Sequence, residues 1–192
     1  MKLPKLYEVY QYLENSLSEK RFIHSISAAA FAKVLASRYS CDEERAFFAG
    51  LVHDIAREIP ENRIIELSSE LNSSDIDYFI QHPIMLHGEA GAVMLAAEFG
   101  INDNIILNSV RWHVNGHPSM DETARIVYIA DYIESTRIHV SAADRSRIFG
   151  MDLNDALLYV MEHEREYYRS QDLKNCKDSE NLYLQLKGFI NG

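Results

Sequence analysis

Proline and glycine are scarce in this chain, with 4 Pro and 8 Gly in 192 residues. That is too little turn chemistry for a turn-rich all-β protein, so composition alone favours helix. Cysteine is scarcer still, and Cys41 with Cys176 makes no disulfide framework. No long apolar run and no signal-like N-terminus is present, so the expected protein is reduced, cytoplasmic and soluble, without a membrane partner. Basic residues are outnumbered: 19 Lys and Arg stand against 29 Asp and Glu, a net charge of -10. A broadly acidic surface argues against non-specific nucleic-acid binding. An anionic ligand would need a local cationic pocket, which a few Arg or a bound metal can supply. There is no internal repeat, no low-complexity tract and no sustained period-two alternation.

What remains is an ordinary globular balance, 47% hydrophobic and 25% charged. The length suits one domain spanning 1–192, large enough for its own core. Leu6, Val9, Tyr10 and Leu13 predict a helix over 4–19. Ile23, Ile26, Ala30 and Val34 form one apolar stripe of a second helix. Ser40 and Glu43 sit at capping-box spacing before a third, which runs through Phe47, Phe48 and Leu51 toward His53. Pro60 fits the first turn of a short helix, and Asn72–Asp75 reads as a turn and cap. Pro83 opens a helix rich in Ala and Gly, which Gly100 ends. Asn102 or Asp103 caps the next, carrying Ile105, Ile106, Val110 and His113 and broken by Gly116 and Pro118. Ser119 and Glu122 suggest another capping box, before a long helix through Ile126 and Ile133. Asp152 starts a last clear amphipathic helix, and the tail beyond Ser170 is weakly periodic until Leu182.

The chemistry-bearing residues stand in apolar contexts. His53 and Asp54 are adjacent at the end of Ala49-Gly50-Leu51-Val52. Neighbours on a helix point about 100° apart, so both reach one ion only at a bent or frayed turn. Imidazole and carboxylate suit divalent iron, manganese, zinc and nickel. Alone, the pair is weak: it could be a C-terminal His beside a solvated Asp. His24 follows Phe22 and Ile23, His87 follows Met85 and Leu86, and His113 follows Trp112. Asp131 lies within Ile129-Ala130-Asp131-Tyr132-Ile133, where an unpaired carboxylate is expensive unless a core Arg or Tyr bonds it. Five predicted helices each deliver a ligand-type residue, which is how helical bundles build metal centres. His82, His117, His139 and His163 lie in turns or on polar faces and are set aside. Trp112 and the 11 Tyr read as packing rather than base stacking, and Asp144 and Asp152 as caps.

In this order, His24, His53-Asp54, His87, His113 and Asp131, the chain resembles the HD superfamily of metal-dependent phosphohydrolases. The stretches Arg21-Phe22-Ile23-His24, Ala49–Arg57, His87-Gly88, His113–Gly116 and Ile129–Glu134 with Arg137 look closest to the bacterial symmetrical diadenosine-tetraphosphate hydrolases, once labelled HD hydrolases of NAD metabolism. The resemblance covers roughly residues 18–140. It implies an all-α HD-type bundle with the metal site at its centre and the helices of 152–192 packed on it. It implies metal ligation by His24, His53, Asp54 and Asp131, with iron first and manganese or nickel as alternatives. His87 and His113 would bind a second ion or contact phosphate. Catalysis would fall to Asp54, Arg57, His87 and His113, and substrate contacts to those residues with Arg21, Ile55, Ala56, Asp131 and Arg137. Arg21 and Arg137 could equally be surface ion pairs. Three features depart from the family: Arg57 replaces Lys, Val114-Asn115-Gly116 lacks the usual hydroxyl, and no His-Pro segment occurs between Asp172 and Gly192. The implied reaction is cleavage of diadenosine tetraphosphate to two ADP. Other HD reactions, such as nucleoside-monophosphate hydrolysis, and a non-catalytic nucleotide sensor are the alternatives. The missing Gly-Tyr-Pro motif counts against a cyclic-dinucleotide esterase. Apolar helical surfaces leave room for a homodimer.

Overall fold

The computed structural model describes residues 5–188, and eleven helices with no strand occur among them. The ends of the 1–192 span, and Pro4 at the start of the predicted first helix, lie outside the described residues. The helices are α1 (Leu6–Ser16), α2 (Glu19–Arg38), α3 (Glu43–Val52), α4 (Glu61–Leu67), α5 (Ile76–Gln81), α6 (His87–Phe99), α7 (Asn104–Trp112), α8 (Glu122–Ile133), α9 (Ala142–Gly150), α10 (Leu153–Ser170) and α11 (Lys177–Leu186). Pro83 opens a single 3-10 turn, Pro83–Leu86, and α6 begins only after it. No described helix is long and apolar enough to cross a membrane.

Five helices, α2, α3, α6, α7 and α8, set the frame, and a sixth, α10, lies on it. α2 packs on α3 and α8, α7 packs on α3, α6 and α8, and α10 covers α8. One core cluster joins α1, α3, α6 and α7 around Phe48, Leu51, Leu95 and Val110. A second joins α2, α8, α9 and α10 around Leu35, Ile129, Ile148 and Leu157. Each such fully buried side chain contributes roughly 1.5–3 kcal/mol. α10 and α11 bury Leu157, Met161 and Leu182 in that second cluster.

The face α2 buries is not the one its apolar stripe suggests. Ile23 is 48% exposed and Val34 55% exposed, with Ile26 and Ala30 also on the outside. The buried face carries His24, Ser25, Ala28, Ala29, Ala32, Leu35 and Ala36. The reason is distance. A Cβ added at Gly50 of α3 would meet Ala29 Cα at 3.0 Å and Ala28 O at 3.1 Å. Only small residues let two helices approach so closely, and that approach carries His24 toward His53.

Two predicted caps are displaced. Asp42, not Ser40, caps α3, accepting from the amides of Glu44 and Arg45, while Ser40 has φ 58°. Asp121, not Ser119, caps α8 by accepting from Ala124 N. Asp103 caps α7 and Gly100 closes α6 in the left-handed region, as the sequence predicts. Pro60 is the residue before α4 rather than within its first turn. Asp144 lies inside α9, capped by Ser141, whereas Asp152 precedes α10 without a side-chain cap bond.

Candidate metal centre

The site lies where α2, α3, α6, α7 and α8 converge. His24 projects from the second turn of α2. α3 stops at Val52, and a tight turn follows, with Ile55 N donating to Val52 O and Arg57 N to Asp54 O. That break lets adjacent His53 and Asp54 face one point. His87 is the first residue of α6, His113 follows the last residue of α7, and Asp131 sits in the last turns of α8. All four of these histidines and Asp54 are buried.

Every imidazole is fixed by its Nδ1. His53 Nδ1 lies 2.7 Å from Gly50 O, His87 Nδ1 2.5 Å from Ile84 O, and His113 Nδ1 2.7 Å from Val110 O. A carbonyl only accepts, so each Nδ1 carries the hydrogen. His24 Nδ1 faces the Glu134 carboxylate at 3.1 Å. Glu134 is fully buried and also accepts from Thr136 N at 2.7 Å and from the Thr136 hydroxyl. The four Nε2 atoms therefore point inward.

They fall into two pairs. His24 and His53 Nε2 are 3.1 Å apart, as are His87 and His113 Nε2. Asp54 stands between them. Its Oδ2 is 3.6 Å from His24 Nε2 and 3.5 Å from His53 Nε2; its Oδ1 is 3.0 Å from His87 Nε2 and 3.6 Å from His113 Nε2. Asp131 Oδ1 joins the first pair, 3.0 Å from His24 and 3.6 Å from His53. With all Nδ1 positions protonated, two imidazole lone pairs at 3.1 Å repel unless a proton or cation lies between them. The donor set therefore fits a metal: His24, His53, Asp54 and Asp131 could hold one ion, and Asp54, His87 and His113 a second. Nitrogen and oxygen donors of this kind suit divalent first-row metals. Carboxylates and carbonyls that accept from the other ring nitrogen of a metal-ligating imidazole serve the same orientation.

Charge follows the geometry. Burial lowers the His53 pKa, but Asp54 and Asp131 outweigh it and hold it up to about 9. A divalent ion would replace that proton. Burial lowers His113 to about 4, so it stays a neutral imidazole at physiological pH. Burial disfavours the Asp54 carboxylate, yet the surrounding histidines hold its pKa well below the usual range.

Three arginines meet the site differently. Arg21 Nη1 donates to Asp54 Oδ2 at 2.8 Å. Arg137 donates to the Asp131 carboxylate and backbone carbonyl. The Arg57 side chain makes no hydrogen bond or ion pair among the described residues, though it lies in the field of Asp54, Arg21 and Asp131. Ile55 and Ala56 are 0% exposed, backbone included.

Several residues at the site escape sequence reasoning. Glu134 is one. Arg145 of α9 is another: it donates to the carbonyls of Ile133, Glu134, Arg137 and Val140 at 2.6–2.9 Å, pinning the loop after α8. His139 and His163, set aside on sequence grounds, line a cavity of about 510 Å³ beside Asp131 and Arg137, with Glu164.

Glu164 accepts a hydrogen bond from Tyr128. Burial pushes its carboxyl from 4.5 up to about 7; Asp131 adds to the rise, while Tyr128 and Arg137 oppose it. Between those two values the unfolded chain has released the proton and the folded chain has kept it. Stability therefore falls as pH rises through that window and stays lower above it. The full shift corresponds to at most about 3 kcal/mol. Glu164→Gln keeps an acceptor for Tyr128 and removes the titration. Its melting temperature is expected to exceed the wild type by roughly 5 °C at pH 8 and to match it near pH 4.5. A gap that is equal at both pH values would assign the penalty to another group.

Residues 21–136 match the HD domain family model. A Bacillus subtilis (strain 168) protein named "Bis(5'-nucleosyl)-tetraphosphatase, symmetrical" is 29% identical over 153 residues, 79% of this chain and 81% of that one. A protein of the same name from Halalkalibacterium halodurans is 32% identical over 149 residues, 77% of this chain and 79% of that one. The crystal structure of a predicted HD superfamily hydrolase involved in NAD metabolism from Clostridium acetobutylicum superposes with a TM-score of 0.87 at 33% identity, covering 95% of this chain and 97% of that one.

Proposed function

The chain belongs to the HD domain family, and from that premise we propose that it is a metal-dependent phosphohydrolase that splits a dinucleoside tetraphosphate symmetrically, diadenosine tetraphosphate giving two ADP. The observation that carries this reading is Asp54: one buried carboxylate with one oxygen toward His24 and His53 and the other toward His87 and His113. Two of the relatives above carry the name of that activity. Iron is the metal we assign first, with manganese or nickel as alternatives, held by His24, His53, Asp54 and Asp131 and, if two ions bind, by Asp54, His87 and His113. When bound, such a metal supplies Lewis acidity toward a phosphoryl oxygen and acidifies water.

The chain's own residues set the geometry. Water adds to one inner phosphorus, and the bond from it to the oxygen bridging the two inner phosphorus atoms breaks. ADP leaves, and a second ADP forms from the attacked half. Arg21, Arg57 and Arg137 face the phosphate oxygens and offset their charge. His113, neutral at physiological pH, offers a lone pair rather than a proton. Most of the acceleration comes from positioning and fixed charge, since phosphoryl transfer leaves little covalent chemistry to the protein.

The test is hydrolysis of diadenosine tetraphosphate by metal-supplemented protein, with products resolved by anion-exchange chromatography. ADP as the only product supports the reading. AMP with ATP, or turnover of nucleoside monophosphates alone, moves the chain to another HD reaction. Arg57→Ala is expected to lower kcat/KM by roughly 10²-fold, in line with loss of one charge-stabilising donor, and to leave metal content unchanged. Wild-type kcat/KM in that variant would remove Arg57 from the phosphate site.

A further inference from the structure

The loop between α8 and α9 reaches the metal centre through two side chains. Glu134 faces His24 Nδ1 at 3.1 Å. Arg137 donates to the Asp131 carboxylate, and its Nη2 lies 3.4 Å from His24 Nε2. Yet the loop has little apolar hold on the protein. None of residues 135–139 is buried, and Ile138 is 97% exposed. The backbone makes two successive turns, Arg137 N donating to Glu134 O and Val140 N to Arg137 O, both at 3.1 Å. Those bonds shape the turns but do not fix where they sit relative to α8.

Arg145 supplies that reference. It stands on α9, which is anchored by Ile148, 0% exposed, and by Phe149, whose ring centroid is 6.2 Å from that of Phe31 on α2. Its guanidinium donates through every nitrogen: Nε to Ile133 O at 2.6 Å, Nη1 to Val140 O at 2.6 Å, and Nη2 to Glu134 O at 2.9 Å and Arg137 O at 2.7 Å. The acceptors are the last residue of α8 and the corners of both turns. Carbonyls at a helix C-terminus carry partial negative charge and favour a cation. A rigid planar fork can meet several fixed carbonyls at once, whereas the three donors of a Lys ammonium radiate from one point.

We propose that Arg145 is a positioning residue for the phosphate end of the site: it fixes the Arg137 backbone and thereby aims the Arg137 guanidinium at the phosphate oxygens. This role rests on the phosphohydrolase reading for what Arg137 contacts, and goes beyond it by naming what holds Arg137 in place. Arg137 is gripped at both ends, its carbonyl by Arg145 and its guanidinium by the Asp131 carbonyl and carboxylate. Releasing the first grip leaves the second. Arg137 then stays near Asp131, but its backbone is no longer tied to α9. Misplacement of a substrate-orienting group by about 1 Å costs on the order of 10²-fold.

The experiment measures pyrophosphate binding to manganese(II)-loaded protein by titration calorimetry, in the wild type, Arg145→Lys, Arg137→Ala and the double variant. Lys keeps the charge and removes the planar fork, so it isolates geometry. Arg137→Ala is expected to weaken binding roughly tenfold, as loss of a charged hydrogen-bond donor. Arg145→Lys is expected to weaken it roughly tenfold while Arg137 is present, and by less than about twofold in the Arg137→Ala background. General loosening of the fold would act alike in both backgrounds. An equal loss in both, an Arg145→Lys protein within about twofold of the wild type, or an Arg137→Ala protein that binds like the wild type would each overturn the proposal. Arg145→Gln, with a planar amide donor, stands in if Arg145→Lys does not keep the wild-type helical content. Loss of folding in both would make Arg145 a requirement of the fold and equally overturn its positioning role. Wild-type turnover of diadenosine tetraphosphate is scored separately. Coupling between Arg145 and Arg137 in a protein that does not cleave that substrate would keep the positioning role and sink the reaction. Cleavage without coupling would do the reverse.

Discussion

Asp54→Asn is expected to lower turnover of a dinucleoside tetraphosphate on the order of 10⁴-fold or more, a barrier increase of about 5 kcal/mol or more. The substitution keeps shape and volume and changes only charge and one atom. Asp54 is 3% exposed and touches both imidazole pairs as well as Arg21. An amide has one acceptor oxygen and one NH₂. Whichever way it is turned, a donor replaces an acceptor in front of one pair of Nε2 atoms, so one of the two sets loses its shared ligand. A buried negative charge that offsets metal and arginine charge is also lost. We therefore expect reduced metal content, measured by atomic emission, together with lost turnover. Full metal content with lost turnover would assign Asp54 to the substrate rather than the metal. Turnover near the wild-type rate would remove Asp54 from the centre of the chemistry.

Much of this arrangement was legible in the sequence because it is written locally. A His-Asp pair closing an apolar run, and single His or Asp residues among Leu, Ile and Val, are costly patterns without a shared purpose. The Ala- and Gly-rich stretches likewise announce close helix approach. What was not legible depends on competition or distance. Ser40 and Ser119 have capping-box spacing, but Asp42 and Asp121 follow within two residues and take the amides instead. A carboxylate suits a helix N-terminus better than a hydroxyl does. The Ile23–Val34 stripe obeys helical period yet faces outward. The opposite face holds His24 and four alanines, and larger side chains there would hold α3 away. Glu134 meets His24 across 110 residues, and the loop clamped by Arg145 has no periodic pattern at all. His139, His163 and Glu164 come together only because α10 lies on α8.

The second large effect concerns a residue with no side chain. Gly88→Ala is expected to destabilise the protein by about 1–3 kcal/mol and to slow turnover roughly 10²-fold. A Cβ at Gly88 would lie 2.7 Å from Arg111 O, 2.9 Å from Val110 O and 3.1 Å from Val114 Cγ2. The two shortest contacts are to backbone carbonyls, which cannot swing aside as a side-chain tip can. Relief requires α6 and α7 to separate. His87 precedes Gly88, and the Val110 carbonyl is the acceptor that orients His113. Separation therefore pulls apart the Nε2 atoms now 3.1 Å from each other and turns His113 as well. Gly150→Ala is the control, because a Cβ there meets nothing within 4 Å. It should leave rate and melting temperature near the wild type, while Gly88→Ala lowers the melting temperature by roughly 3–10 °C. An unchanged melting temperature for Gly88→Ala would refute the close approach of α6 and α7. A lowered melting temperature with full activity would keep that approach and show that the spacing of His87 and His113 does not limit the reaction.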